Sequence, residues 1–160
     1  MLKTTDSVVR RLSLWMYWVA GVALTGIVFL TVTDVFMRFF KHPILGSYEL
    51  VGFLGATAIG FSLPQTSLNK GQVLMDFVIH RLNKSAQTVL LVLTRLLGLG
   101  LFIIIGVNLL IMGQNLRVSG EVSLTLNIPQ YPLAYGLALA CFVQSLVLII
   151  QMFPEKAGSK

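Results

Sequence analysis

The sequence predicts an all-α membrane protein with four transmembrane helices and both termini in the cytoplasm. Of its 160 residues, 56% are hydrophobic and only 11% are charged, whereas soluble domains carry about 25% charged residues. Long apolar runs recur along the chain, each near the roughly 20 residues that a helix needs to cross a bilayer. We expect one membrane domain over residues 1–160, with spans at 12–33, 48–68, 94–116 and 130–153.

The first run is interpreted as a retained helix rather than a cleaved signal peptide. Its 22 residues, 12–33, exceed the apolar region of a signal peptide, which is about 7–15 residues long. No cleavage site of small residues follows it. Trp15, Tyr17 and Trp18 near its start are typical of the membrane interface.

The second run has features of a helix that packs closely against another helix. Glu49 lies in the first turn, where a negative charge suits the positive end of the helix dipole. Gly52, Ala56 and Gly60 recur every four residues and form a small-residue face. Such a face lets a neighbouring helix approach closely. Pro64 is expected to kink the last turns.

The third run is interrupted by Arg95, and two interpretations stay open. Arg95 lies at the membrane boundary and reaches the headgroups, or it belongs to a longer, tilted helix and faces a partner. We favour the boundary. The fourth run begins after Pro129 and includes Pro132 near its start, where a missing amide donor matters least.

The distribution of basic residues predicts the orientation of the chain. Lys and Arg are more frequent on the cytoplasmic side of membrane proteins. Eight lie in the N-terminus, the second connection and the tail: Lys3, Arg10, Arg11, Lys70, Arg81, Lys84, Lys156 and Lys160. Three lie in the first and third connections: Arg38, Lys41 and Arg117. The net charge of +6 therefore reflects topology, and we expect no binding of nucleic acid.

The second connection contains an amphipathic segment, residues 72–82, between helices 2 and 3. Its apolar side chains fall at helical spacing, at Val73, Leu74, Phe77, Val78 and Leu82. A helix of this kind lies in the cytoplasmic interface of the membrane or packs on its own bundle. The sequence favours neither over the other.

The chain lacks the residues that enzyme or cofactor chemistry requires. Its histidines, His42 and His80, fall on opposite sides of the predicted membrane, and Cys141 is the single cysteine. No haem, zinc or dithiol site is consistent with that pattern. We therefore expect no enzyme activity, no catalytic or metal residue and no cofactor in this chain.

Polar groups deep inside the predicted spans, away from their ends, are few and uncharged. They are Thr25, Thr57, Ser62, Asn108, Gln144 and Ser145. Such groups in a bundle usually form hydrogen bonds across helices, which we favour over a path for a solute. The alternative is a self-sufficient four-helix transporter or channel that acts as a homo-oligomer.

Charged residues concentrate at the external end of the first hairpin. Asp34 and Arg38 are four residues apart, so they share a helix face and can pair. Glu49 heads the next helix and is expected to complete the cluster. The cluster is interpreted as a network that fixes the hairpin, with a docking contact for a partner as the alternative.

These residues resemble a known family. Asp34, Arg38, Pro43, Gly46 and Glu49 are similar to the first-hairpin signature of DctQ-like small permease subunits in tripartite ATP-independent periplasmic (TRAP) transporters. Two further segments also match: Gly71-Gln-Val73 with Asp76, and Ser123-Leu-Thr-Leu-Asn-Ile128-Pro129. Gln72, where members often have histidine, and Tyr131-Pro132 depart from the family pattern.

The resemblance implies a scaffold role in a symporter of the bacterial inner (cytoplasmic) membrane. A large multi-span permease subunit would bind the substrate and couple its uptake to sodium. A periplasmic substrate-binding protein would deliver an organic acid, such as a dicarboxylate or sialic acid. This multi-pass chain would contact both proteins and membrane lipid, and it would bind no cofactor itself.

Overall fold

The chain folds into four helices with no strand in the part that the structure describes. The structure is a computed structural model, and it describes residues 2–69 and 84–152, with side chains at 8–69 and 92–151. The helices are α1 (Leu2–Phe39), α2 (Ser47–Leu68), α3 (Lys84–Ser119) and α4 (Tyr131–Met152). The predicted amphipathic segment, 72–82, lies outside the described residues.

Three of the helices are long and apolar enough to cross a membrane. Their apolar stretches are Val8–Phe39, Val92–Ser119 and Tyr131–Gln151. This confirms the prediction of an all-helical, multi-pass membrane chain. α2 has 22 residues, a length of about 33 Å that also matches a bilayer. Its glycines and polar residues make it less apolar, so its role as the fourth span stays a prediction.

Two helices extend well beyond the predicted spans. α1 has 38 residues and α3 has 36, whereas the sequence predicts spans of 12–33 and 94–116. The apolar runs mark only the part of a helix that suits lipid, and a helix continues until its backbone is interrupted. α3 continues through Arg95 without a break. This agrees with the second interpretation of the third run, in which Arg95 belongs to a longer helix.

The helices pack in the order α1, α2, α4, α3, so that α4 and α2 lie between the other two. α2 and α4 run parallel, because Glu49 contacts the segment before α4 while Ser67 contacts Gln144 and Gln151. Half of the most apolar stretch of α4 is buried within the chain, against 17% for α1 and 11% for α3. The outer helices therefore present long apolar faces outward.

Small side chains fill most of the interior. Buried alanines lie on three helices: Ala20, Ala23, Ala58, Ala134, Ala138 and Ala140. A cluster of Met16, Ala140 and Val143, with Phe61 against it, joins α1, α2 and α4. Close approach of backbones through small residues is the usual way that helices associate in lipid.

The predicted small-residue face of α2 is covered by the chain at one end only. Gly60 is buried, and a Cβ atom added there would overlap the side chain of Leu137 on α4. Ala56 is half-buried, and Gly52 is exposed, with no atom near an added Cβ. Gly60 is therefore the residue of this face that the contact between α2 and α4 requires.

We predict that Gly60→Leu destabilises the isolated chain while Gly52→Leu does not. A leucine at position 60 must displace Leu137, and overpacking of this kind costs about 1–3 kcal/mol. Position 52 has room for the same side chain. Thermal unfolding of the purified variants in one detergent measures the difference, and equal melting temperatures would contradict the assigned contact.

Candidate functional site

The charged residues of the predicted hairpin cluster lie where the α1–α2 and α3–α4 connections meet. We call this region the loop junction and define it by Asp34, Arg38, Gly46, Glu49 and residues 123–126. It lies at one end of the bundle, beside the end of α1 and the start of α2 and α4. Its geometry depends on how each connection folds.

The α1–α2 connection begins with a Schellman turn. The amide of His42 donates to the Met37 carbonyl and the amide of Lys41 to the Arg38 carbonyl, each at 3.0 Å. Lys41 has a φ of 61°, the left-handed conformation that ends many helices. The chain thereby satisfies carbonyls at the end of α1 and turns sharply toward α2.

Asp34 holds this turn to α1. Its carboxylate accepts hydrogen bonds from Nε of Arg38 at 2.8 Å and from the amide of Ile44 at 3.1 Å. Asp34 is buried, whereas 64% of the Arg38 side chain is exposed. The spacing of four residues indicated the ion pair, but it gave no sign of the bond to Ile44. The carboxylate therefore fixes the turn as well as pairing with Arg38.

Glu49 bonds to residues outside the first hairpin, whereas the sequence analysis expected it to complete the cluster of Asp34 and Arg38. Its carboxylate accepts hydrogen bonds from the Ser123 hydroxyl and from the amides of Thr125, at 2.9 Å, and Leu126, at 3.2 Å. Among the described residues the sole salt bridge is Asp34–Arg38. Glu49 thus bonds the α3–α4 connection, because that connection presents amides that need an acceptor.

The α3–α4 connection is a compact turn. The amide of Ser123 donates to the Ile128 carbonyl at 2.9 Å, and the amide of Asn127 donates to the Ser123 carbonyl at 3.1 Å. Asn127 adopts a left-handed φ of 52°. The internal bonds leave the amides of Thr125 and Leu126 directed at Glu49. Sequence spacing offered no signal for these donors, which lie more than 70 residues from Glu49.

Gly46 lets the two connections approach each other. Its φ is 79°, and a Cβ added to it would lie 2.5 Å from Cγ of Leu126. Any other residue would meet both backbone strain and this overlap. Gly46 and Glu49 therefore join the same two connections, one by packing and the other by hydrogen bonds.

Apolar side chains around the loop junction are unusually exposed. Each of the following is at least 67% exposed: Phe39, Phe40, Leu45, Tyr48 and Leu124. A shallow groove of about 390 Å³ lies beside them, lined mainly by apolar groups of Tyr48, Phe53, Leu124 and Leu133. Clustered apolar surface of this kind is typical of an interaction site. The region is an open apolar surface rather than a closed cavity.

Arg95 lies far along α3 from the loop junction and contacts the end of α4. Its guanidinium donates to the backbone carbonyl of Gln151, and Nε2 of Gln151 donates to the Ser67 carbonyl at 2.6 Å. A cation near a helix C-terminus is favourable because of the helix dipole. Arg95 therefore has a partner within the chain.

Polar side chains along the helices mostly bond to their own backbone. Thr25, Thr57 and Asn108 donate to the carbonyl four residues earlier, at 2.9, 2.8 and 2.9 Å. Only Gln144 bridges two helices among the predicted polar residues of the described spans, donating to Oγ of Ser67 at 2.7 Å. The expectation of many bonds across helices is thus met at one position. The described residues also contain no group of three or more metal-ligating side chains.

Comparison with known proteins identifies a family over most of the chain. The family model of tripartite ATP-independent periplasmic transporters, DctQ component, matches residues 27–155. This range contains the whole loop junction, the small-residue face of α2 and Arg95. Neither the curated proteins nor the solved structures gave a match.

We predict that Glu49→Gln loosens the α3–α4 connection. An amide accepts weaker hydrogen bonds than a carboxylate, and its NH₂ group cannot accept from the donors of the turn. The exchange of the Thr125 and Leu126 amide hydrogens should accelerate about tenfold. Hydrogen–deuterium exchange with mass spectrometry measures this. Glu121→Gln, an exposed change in the same connection, is the matched control, and equal exchange in both variants would contradict the role of Glu49.

We predict that Asp34→Ala lowers the melting temperature more than Arg38→Ala does. The first change removes the acceptor of both Arg38 and Ile44, whereas the second removes only a largely exposed ion pair, which contributes little. Reversing both charges, Asp34→Arg with Arg38→Asp, should not restore stability, because arginine cannot accept the Ile44 amide hydrogen. Recovery of the original melting temperature by the reversed pair would show that the ion pair alone matters.

Proposed function

Because the chain belongs to the DctQ component family of tripartite ATP-independent periplasmic transporters, we propose that it is the scaffold subunit of a sodium-driven importer of organic acids. A chain of this family is a small transporter subunit and not an enzyme. In the proposal, a large multi-span permease subunit binds the substrate and sodium. A periplasmic substrate-binding protein delivers the organic acid to the membrane.

The observation that carries the proposal is the internal use of polar groups. A solute path through lipid requires polar or ionisable side chains that face a cavity. Here the mid-helix groups Thr25, Thr57 and Asn108 bond to their own helices. Asp34 and Glu49 stand at helix ends and hold connections. These polar groups form hydrogen bonds within the chain, and the surfaces that the described helices present outward are mainly apolar. This arrangement favours a supporting role.

The proposed arrangement has four spans in the bacterial inner membrane and both termini in the cytoplasm. α2 packs between α1 and α4, so less of its surface needs to suit lipid. Its 22 residues are long enough to cross beside α4. The loop junction then lies on the periplasmic side, and the paired basic residues Arg10 and Arg11 lie on the cytoplasmic side, in agreement with the distribution of basic charge.

The outer faces of α1 and α3 are suited to a membrane partner. Exposed apolar side chains run along both helices, as at Val22 and Phe29 on α1 and Leu97 and Ile104 on α3. In the proposal, the large permease subunit covers one of these faces and lipid covers the other. The large permease subunit would then be part of a wider and more rigid assembly in the membrane.

The exposed apolar groups at the loop junction are suited to proteins that meet the transporter from outside. Tyr48 and Leu124 protrude almost fully from a backbone that Glu49 holds in place. A rigid surface loses little conformational entropy on binding. We therefore place contacts with the other two components at this end of the chain as part of the same proposal.

We predict that the chain copurifies with a large permease subunit and moves no solute alone. Proteoliposomes with both membrane subunits and the binding protein should accumulate an organic acid when an inward sodium gradient is imposed. Omission of this chain, or replacement of sodium by potassium, should abolish uptake. Flux through vesicles containing this chain alone would contradict the proposal and support the alternative of a homo-oligomeric transporter or channel.

A further inference from the structure

The outward face of α3 carries an exposed amide among apolar side chains. The amide is that of Asn108, and it belongs to a stripe of exposed residues along the helix: Leu97, Leu101, Ile104, Asn108, Ile111 and Asn115. The spacing alternates between four and three residues, which is typical of a face that packs against another helix. The four apolar members are each more than half exposed. The described chain therefore leaves this face open.

Asn108 lies close to the middle of the apolar stretch of α3. That stretch is Val92–Ser119, so at 1.5 Å per residue Asn108 is roughly 4 Å from its midpoint. Packing between helices gives the same depth. A Cβ atom added to Gly106 would lie 3.4 Å from Cβ of Cys141, and Cys141 is the middle residue of the α4 stretch, Tyr131–Gln151. Bulk water does not hydrogen-bond to groups at this depth in a bilayer.

The Asn108 amide has hydrogen-bonding groups that the described chain does not use. An asparagine side chain carries two N–H donors and one carbonyl oxygen. One N–H donates to the Ile104 carbonyl at 2.9 Å, and no other described group bonds to this amide. Its second N–H and its Oδ1 would therefore be unsatisfied in lipid. Such groups are costly there, because hydrocarbon can neither donate nor accept a hydrogen bond.

The outward face of α1 has no comparable group. α1 contains no asparagine or glutamine. Its exposed hydroxyls at Thr25 and Thr31 donate to carbonyls of their own helix at 2.9 and 2.7 Å. A hydroxyl has a single donor, so this bond uses the only hydrogen that it can donate. Trp15 and Trp18, which are 72% and 66% exposed, are typical of a helix that meets lipid headgroups.

We propose that the outward face of α3 binds a membrane helix of the large permease subunit, while the outward face of α1 contacts lipid. The partner helix places an amide or hydroxyl side chain opposite Asn108, where it accepts the free N–H or donates to Oδ1. Polar side chains in lipid commonly bond across helices in this way. This inference rests on the proposed function, which requires the large subunit but does not say which outer face it covers.

A second copy of this chain fits the same face less well. Two copies could pair their Asn108 amides, but the large subunit would then be left with the face of α1. In the described chain that face has no unsatisfied polar group at mid-membrane to fix the register of a partner helix. The chain belongs to a family that forms one component of a tripartite transporter, so contact with a different subunit is the first requirement. The face of α3 meets it.

Photo-crosslinking in the complete complex tests which face is covered. The full chain is coexpressed with the large subunit, with p-benzoylphenylalanine in place of Ile104 on α3 or of Val22 on α1. Both residues are exposed and lie close to the middle of their apolar stretches. Position 104 should give an adduct with the large subunit, and position 22 should give none. Loss of the complex from position 104 alone would locate the same contact.

Three results of this experiment would overturn the proposal. They are an adduct with the large subunit from position 22 but not from position 104, an adduct between two copies of this chain from position 104, and lipid adducts alone from both positions. In each case the native chain may still copurify with the large subunit, and the proposed function then stands. Failure of the native chain to form that complex would instead remove the proposed function and this inference together.

Asn108→Leu tests the hydrogen bond at mid-membrane. Leucine has a similar branched shape but no polar atom, so the dissociation constant of the two membrane subunits should rise about threefold to thirtyfold, as expected for one bond between helices. Thr25→Val is the matched control, because it removes a mid-membrane hydroxyl that already bonds to its own helix. That variant should leave the dissociation constant unchanged. An unchanged constant for Asn108→Leu, or an equal rise in both variants, would overturn the proposal.

Discussion

The Glu49 carboxylate joins the two helical hairpins of this protein at one end. It extends from the first turn of α2 and accepts three hydrogen bonds from residues 123–126, which precede α4. Gly46 packs against Leu126 beside it. Without these contacts the α1–α2 hairpin and the α3–α4 hairpin would meet only along the helices, through apolar packing against α4 and the hydrogen bonds of Gln144 and Gln151 to Ser67. A charged group at a helix start thus sets the geometry of the whole loop junction.

The same requirement, that polar groups in a membrane protein find partners within the protein, explains several other contacts of the chain. Asp34 satisfies the Ile44 amide, Arg95 satisfies the end of α4, and Gln144 reaches Ser67. Isolated threonines bond to their own helix. The outer faces of α1 and α3 are left mainly apolar. A chain built in this way provides shape and contact surface, which agrees with a small subunit of a multi-component transporter.

The sequence was sufficient to predict the features that depend on composition and on local spacing. Low charge and long apolar runs predicted a multi-pass helical protein, and the Asp34–Arg38 pair followed from a separation of four residues. The family resemblance rested on short motifs in the right order, and the family match over residues 27–155 confirmed it. Helix limits were less accurate, because hydropathy reports the apolar part of a helix and not where the backbone stops being helical.

Only the tertiary structure decided which distant groups meet. Glu49 could have faced Arg38 or the α3–α4 connection, and the rotation of α2 against α4 determines that it bonds the connection. Gly52 and Gly60 are equivalent in the sequence pattern, yet only Gly60 has Leu137 against it. Local spacing determines which residues share a helix face, since the helix repeat is fixed. Which residues pack against that face depends on how separate helices pack. The spacing of residues along the chain does not predict such contacts between distant segments.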